Sequence, residues 1–146
     1  MRRPGMRRWG LAIGFLALGL VTVGAPIAAE PRKGAMPGVP GLEVGEMVFC
    51  AAIKDRAPEA VADTFPADIY GVYCYTRLVG ARDTTSIRHV WYRGGQKVAE
   101  RRLAVRSSPW RTWSSKEMKE EWRGEWTVEV LASDGRSLAS RKFFLK

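Results

Sequence analysis

Gly94-Gly95 is the feature that most narrows what this chain can become. Two adjacent glycines supply positive φ at both central positions of a type I′ turn, the turn whose twist matches a two-residue β-hairpin. The flanks agree with that turn. Thr85–Arg93 and Gln96–Val105 are strand-length runs, and in the first of them Ile87, His89 and Trp91 fall on one face while Arg88, Val90 and Tyr92 fall on the other. A hairpin is predicted here, and a hairpin needs further strands to cover it.

The rest of the chain supplies them. Val44–Ile53 is predicted as the first strand, with Val44, Val48, Cys50 and Ala52 on one face. Residues 54–68 carry Pro58 and Pro66 and four acids, and read as a loop with one helical turn after Pro58. Ile69–Val79 is β-branched and aromatic on both faces, as a central strand should be. Residues 106–115 form a connection, with Arg111–Ser115 as a short fifth strand. Ser114 and Glu117 have capping-box spacing, which predicts a helix of one or two turns carrying Met118 and Trp122 on one face, closed by Gly124. Glu125–Leu131 follows as a strand with Trp126, Val128 and Val130 inward, and Asp134-Gly135 turns it back into Ser137–Leu145. These are seven short strands and no strand–helix–strand alternation. The expected fold class is all-β, an antiparallel immunoglobulin- or fibronectin-III-like β-sandwich with one short helix.

The N-terminus reads differently. Arg2, Arg3, Arg7 and Arg8 precede Leu11–Val23, 13 residues without charge, and Ala28-Ala29 follow. That is the layout of a signal peptide over residues 1–29. The alternative is an uncleaved anchor, because residues 11–29 are long enough to span a bilayer. Either reading places the remainder in the periplasm or outside the cell, or tethers it to the inner membrane. Residues 30–41, rich in Pro and Gly, are a linker, and residues 42–146 form the domain. Of the formal +9 charge, the leader supplies four arginines. The remainder is mildly basic and holds no long basic block, so nucleic acid is not an expected partner.

Four segments in this order resemble a known family: Lys54-Asp55-Arg56, Phe65-Pro66-Ala67-Asp68, His89-Val90-Trp91-Tyr92 and Trp110-Arg111-Thr112-Trp113-Ser114-Ser115. From about Val44 to the C-terminus the chain is similar to the bacterial domain-of-unknown-function 2914 family. The resemblance implies a small β-rich domain of bacterial envelope or membrane-tethered proteins. It brings no catalytic residues with it.

The chemistry-bearing residues are few. Cys50 and Cys74 are the only cysteines. In an exported chain an even count makes them a disulfide candidate, which would contribute roughly 3 kcal/mol by closing a loop of about 25 residues. The alternative is a pair of buried thiols. His89 is the only histidine and therefore the sole general-base candidate, but its phase with Ile87 and Trp91 suits a hydrogen-bonded core or cleft residue. No nucleophile, metal or phosphate motif accompanies it, so no catalytic residue, cofactor or metal is expected. Glu117, Glu120, Glu121 and Glu125 read as a solvated helix face. Trp110 and Trp113, three residues apart, would share one side of a polyproline-like segment and stack with Arg111 or a strand arginine. With Tyr92 they make the candidate binding surface: Tyr92, Trp110, Arg111 and Trp113. The expected function is a monomeric, non-enzymatic binding or interaction module of the cell envelope. Its partner would be an envelope protein or a glycan, with membrane contact only through the leader. Glycan or peptide binding through exposed Trp and Arg is the second reading, and a hydrolase the third.

Overall fold

The structure, a computed structural model, describes residues 41–146. Residues 1–29, read above as a signal peptide, and all but Gly41 of the segment read as a linker lie outside the described residues. Among those described, no helix is long and apolar enough to cross a membrane.

Among the described residues nine strands form two sheets. In chain order they are β1 (Glu43–Lys54), β2 (Ala57–Val61), β3 (Thr64–Phe65), β4 (Gly71–Val79), β5 (Thr85–Arg93), β6 (Gln96–Val105), β7 (Trp110–Glu117), β8 (Gly124–Ala132) and β9 (Ser137–Leu145). One sheet has the order β2-β1-β4-β7 and the other β3-β9-β8-β5-β6. All pairs are antiparallel except β3 with β9. The hairpin stands as expected: β5 pairs β6 from Thr85↔Val105 to Arg93↔Gln96, and Gly94 and Gly95 have φ of 54° and 80°.

Both sheets turn an apolar face to one core. Met47 and Phe49 of β1 and Val72, Cys74 and Leu78 of β4 meet Ile87, Trp91, Trp126, Val128, Val130 and Phe143 of the other sheet. Phe143 is the hub. Its ring centroid lies 4.7 Å from Phe49 and 5.9 Å from Trp126, which it stacks at 16°. Trp91 and Trp126, each 1% exposed, are core residues, as their strand phase predicts. At one side Arg141 of β9 donates to the Met47 carbonyl of β1 at 2.6 Å and ties the sheets together.

Several expectations need correcting. The segment read as a loop contains β2 and β3. Asp55 and Arg56 take left-handed φ of 49° and 61° and close a two-residue hairpin between β1 and β2. Neither residue is glycine, so the turn lacks its usual sequence signal. In β1 the register shifts between Val44 and Glu46. The core face is therefore Met47 and Phe49, and Val48, Cys50 and Ala52 face outward.

The capped helix is replaced by strand. β7 pairs with β4 from Leu78↔Trp110 to Gly71↔Glu117, so Ser114 through Glu117 are extended. Only a single 3-10 turn, Glu120–Trp122, follows, and it has no side-chain cap. The Ser114 hydroxyl could not have capped it, because it faces the core. Gly124, at φ 112°, does end that turn and opens β8.

Candidate functional site: a cationic hollow at the β6–β7 seam

The predicted surface does not come together as one patch. Tyr92 lies on the outer face of β5, where its hydroxyl reaches Glu129 at 3.4 Å. Trp110 and Trp113 belong to β7, and a strand sends residues three apart to opposite faces. Trp110 pairs with Leu78 and packs against the core, and the guanidinium carbon of Arg56 sits 5.8 Å from its ring. Trp113 and Arg111 face outward beside Tyr75 and Arg77. The expected bracing arginine exists, but it is Arg56 on Trp110; among the described residues no cation stacks on Trp113.

The cysteines are free. Phe49 pairs with Cys74 and Cys50 with Tyr73. The pleat sends Cys74 into the core with Phe49 and Cys50 to the opposite face, so this register does not bring the sulfurs together. Both are fully buried, and burial raises both thiol pKa values.

His89 is fully buried between the sheets. Its Nδ1 lies 2.7 Å from Ser114 Oγ and its Nε2 3.2 Å from Thr76 Oγ1. Two outer bonds fix the direction of the chain. Trp91 Nε1, a pure donor, gives its proton to Ser114 Oγ at 3.2 Å, and Thr76 Oγ1 donates to the Thr112 carbonyl at 3.3 Å. Thr76 has no second proton, so Nε2 of His89 must carry one and donate it. Ser114 then donates to a bare Nδ1. Every proton has an acceptor only if the imidazole is neutral, and burial pushes its pKa down to about 4. A serine beside a histidine is the pattern of a nucleophile and its base. Here Ser114 is 4% exposed and His89 0%, so the pair lies beneath the surface and holds the sheets in register.

The surface chemistry gathers elsewhere. The free edge of β6 and the free edge of β7 lie on the same side of the two sheets. A hollow of about 370 Å³ opens there among Ala99, Glu100, Arg101 and Ser115 to Glu117. A second, of about 270 Å³, adjoins it through Lys116 and is bounded by Arg93, Val98, Trp122 and Trp126. Its wall is apolar: Trp122 lies 6.0 Å from Trp126, and Val98 is 44% exposed. Its rim is cationic. Lys116 Nζ stands 5.0 Å from the Trp122 ring centroid, Lys119 Nζ 4.9 Å and the Arg93 guanidinium carbon 5.8 Å. These are cation–π contacts, each worth about 0.5–1 kcal/mol at an exposed site. Arg93 also donates to the Glu121 carbonyl at 3.3 Å. Among the described residues none of the three cations forms a salt bridge.

Two of the acids nearby, Glu100 and Glu117, are already engaged. Glu100 accepts from Lys97 and Arg88, which hold its carboxyl below the usual range. Glu117 accepts the Tyr70 hydroxyl at 2.7 Å, and that bond raises the phenol's pKa. A larger hollow of about 470 Å³ beside Thr84 to Ser86 has one charge, Arg102, bonded to Ser86, and no aromatic wall. Sequence reasoning placed Trp122 on a helix and so missed this cluster. Arg93 ends β5, whereas Lys116 and Lys119 come from the end of β7 and the turn after it, and only the β5–β6–β7 topology brings the two segments together. Among the described residues no cluster of His, Cys, Asp and Glu could hold a metal ion.

No curated protein matches the chain. A family match does exist, and it spans β5 to β9, including both the His89–Tyr92 and Trp110–Ser115 segments and the whole cationic cluster; the two earlier segments precede it. Residues 84–144 match the family described as Protein of unknown function (DUF2914).

Proposed function

We propose that this chain is a non-enzymatic binding or interaction module of the bacterial cell envelope, exported by residues 1–29 and working as a monomer on an immunoglobulin- or fibronectin-III-like sandwich. Two sheets closed over one core support the fold assignment. The charge and hydropathy pattern of the leader supports export, to the periplasm or beyond, with an inner-membrane tether as the variant in which the leader stays. One observation carries the binding reading: Trp122 edges an open hollow under three cations that have no carboxylate partner among the described residues. Exposed aromatic and cationic groups held together are what recognition surfaces use. Binding is therefore assigned to this hollow rather than to Trp110, Arg111 and Trp113.

The test is capture from envelope extract by the immobilised full chain. Wild type should retain a component that both Trp122→Ala and Val98→Glu release, with circular dichroism unchanged. Val98 is an exposed strand position, so its variant guards against misfolding as the cause of loss. Equal capture by wild type and both variants, or none by wild type, overturns the reading.

A further inference from the structure

We propose that the β6–β7 seam docks an acidic, extended segment of a partner protein, with an apolar side chain in the Trp122 hollow and carboxylates on Arg93, Lys116 and Lys119. This deepens the binding reading above and rests on it. Three features converge. β6 ends one sheet and β7 ends the other, so each presents a row of unpaired backbone N–H and C=O groups toward the seam. Such an edge is complementary to another extended peptide, which offers the same groups at the same spacing. The Val98, Trp122 and Trp126 wall accepts an apolar side chain. Around it stand three like charges within 5.8 Å of one indole. Their mutual repulsion is relieved by an anion, and the acids of the seam, Glu100 and Glu117, are bound to other groups. Glu121 is the remaining acid beside the cluster.

A bilayer surface would need a broad basic face, whereas here the cations sit at one end of a groove walled by strand edges. The plainer reading is protective. Charges at a sheet edge, Lys116 in particular at inward phase, keep a strand from pairing with other chains. The two readings differ on charge sign. A negative charge protects an edge as well as a positive one, but it repels an acidic ligand.

The probe is a ten-residue peptide alternating Glu and Val, titrated against the full chain by tryptophan fluorescence and amide hydrogen exchange. Its Glu→Gln counterpart, a sulfated disaccharide and phosphatidylglycerol vesicles are run beside it. The acidic peptide should saturate and slow exchange at Val98 to Arg101. The Gln peptide should bind at least tenfold more weakly, and Lys119→Glu, alone or with Lys116→Glu, should weaken the acidic peptide at least tenfold. Lys119 is exposed, so its single variant tests charge without disturbing the core. The proposal is overturned if the acidic peptide does not bind, if charge reversal leaves its binding intact, or if only the vesicles or the disaccharide bind. If capture still depends on Trp122 while the peptide fails, the binding module stands and the acidic segment falls.

Discussion

Because His89 is the only histidine, acid sensitivity between pH 7.5 and 5 isolates one buried group. Its folded pKa is about 4 against an ordinary 6.5. The unfolded chain therefore takes up the proton first. The stability that neutral His89 contributes is fully present above pH 6.5 and is lost as pH falls toward 4. Linkage gives the size: between pH 7.5 and 5 the folded state should lose about 2 kcal/mol, with a slope approaching that of one proton per chain. The hydrogen-bond chain explains why the group resists. A proton on Nδ1 would face the Ser114 hydroxyl, which must then turn away from its acceptor while still receiving Trp91. Urea unfolding at half-unit pH steps measures the curve. His89→Gln is the control, since an amide can accept from Ser114 and donate to Thr76 without titrating. It should flatten the slope even if it lowers stability throughout. A wild-type curve flat within about 0.5 kcal/mol over that range, or a His89→Gln curve with the wild-type slope, would refute the buried neutral imidazole.

Two further outcomes follow from the packing. Gly80 has φ 79°, and a Cβ there would lie 1.7 Å from the Gly41 carbonyl oxygen, so Gly80→Ala should cost at least about 3 kcal/mol in urea unfolding; a cost under about 1 kcal/mol would mean that the segment before β1 yields freely. With Cys50 and Cys74 unbridged, the denatured chain should titrate two thiols and reductant should leave the thermal midpoint unchanged; a fall of roughly 10 °C on reduction, the scale of a lost disulfide in a domain of this size, would reveal a bridge.

What could be read in advance was what two-residue periodicity and turn chemistry encode locally. β5, β6 and β9 have their expected bounds, and Trp91, Trp126, Val128 and Val130 point inward as their phase requires. The misses share a cause: a local signal was overruled by a partner distant in sequence. Ser114 and Glu117 have capping spacing, yet β4 supplies a complete ladder out to Gly71, and the Ser114 hydroxyl is worth more against His89 and Trp91 in the core than at a helix end. Asp55-Arg56 turns without glycine, and from that turn Arg56 meets the Trp110 ring, on a strand more than 50 residues away. Cys50 and Cys74 were in compatible phase only if β1 ran without a shift; the irregularity between Val44 and Glu46 sets which face Cys50 takes.

The same logic governs the tryptophans. Five of the six fall between His89 and Leu131, yet nearness in sequence does not put them on one surface. Strand pleating sends Trp91 and Trp126 to the core, Trp110 inward at the edge and Trp113 outward. Trp122 escapes this alternation because it sits in the one non-strand turn between β7 and β8. That turn breaks the pleat at the point where β7 leaves its ladder with β4, and its indole falls back over Trp126, within reach of Lys116 on β7 and Arg93 on β5. A helix there, as the capping spacing proposed, would have taken Lys116 off β7 and dispersed the cluster. The cationic hollow is thus a consequence of β7 staying extended to Glu117, which in turn rests on the buried Ser114–His89–Thr76 chain holding β7 and β4 against β5.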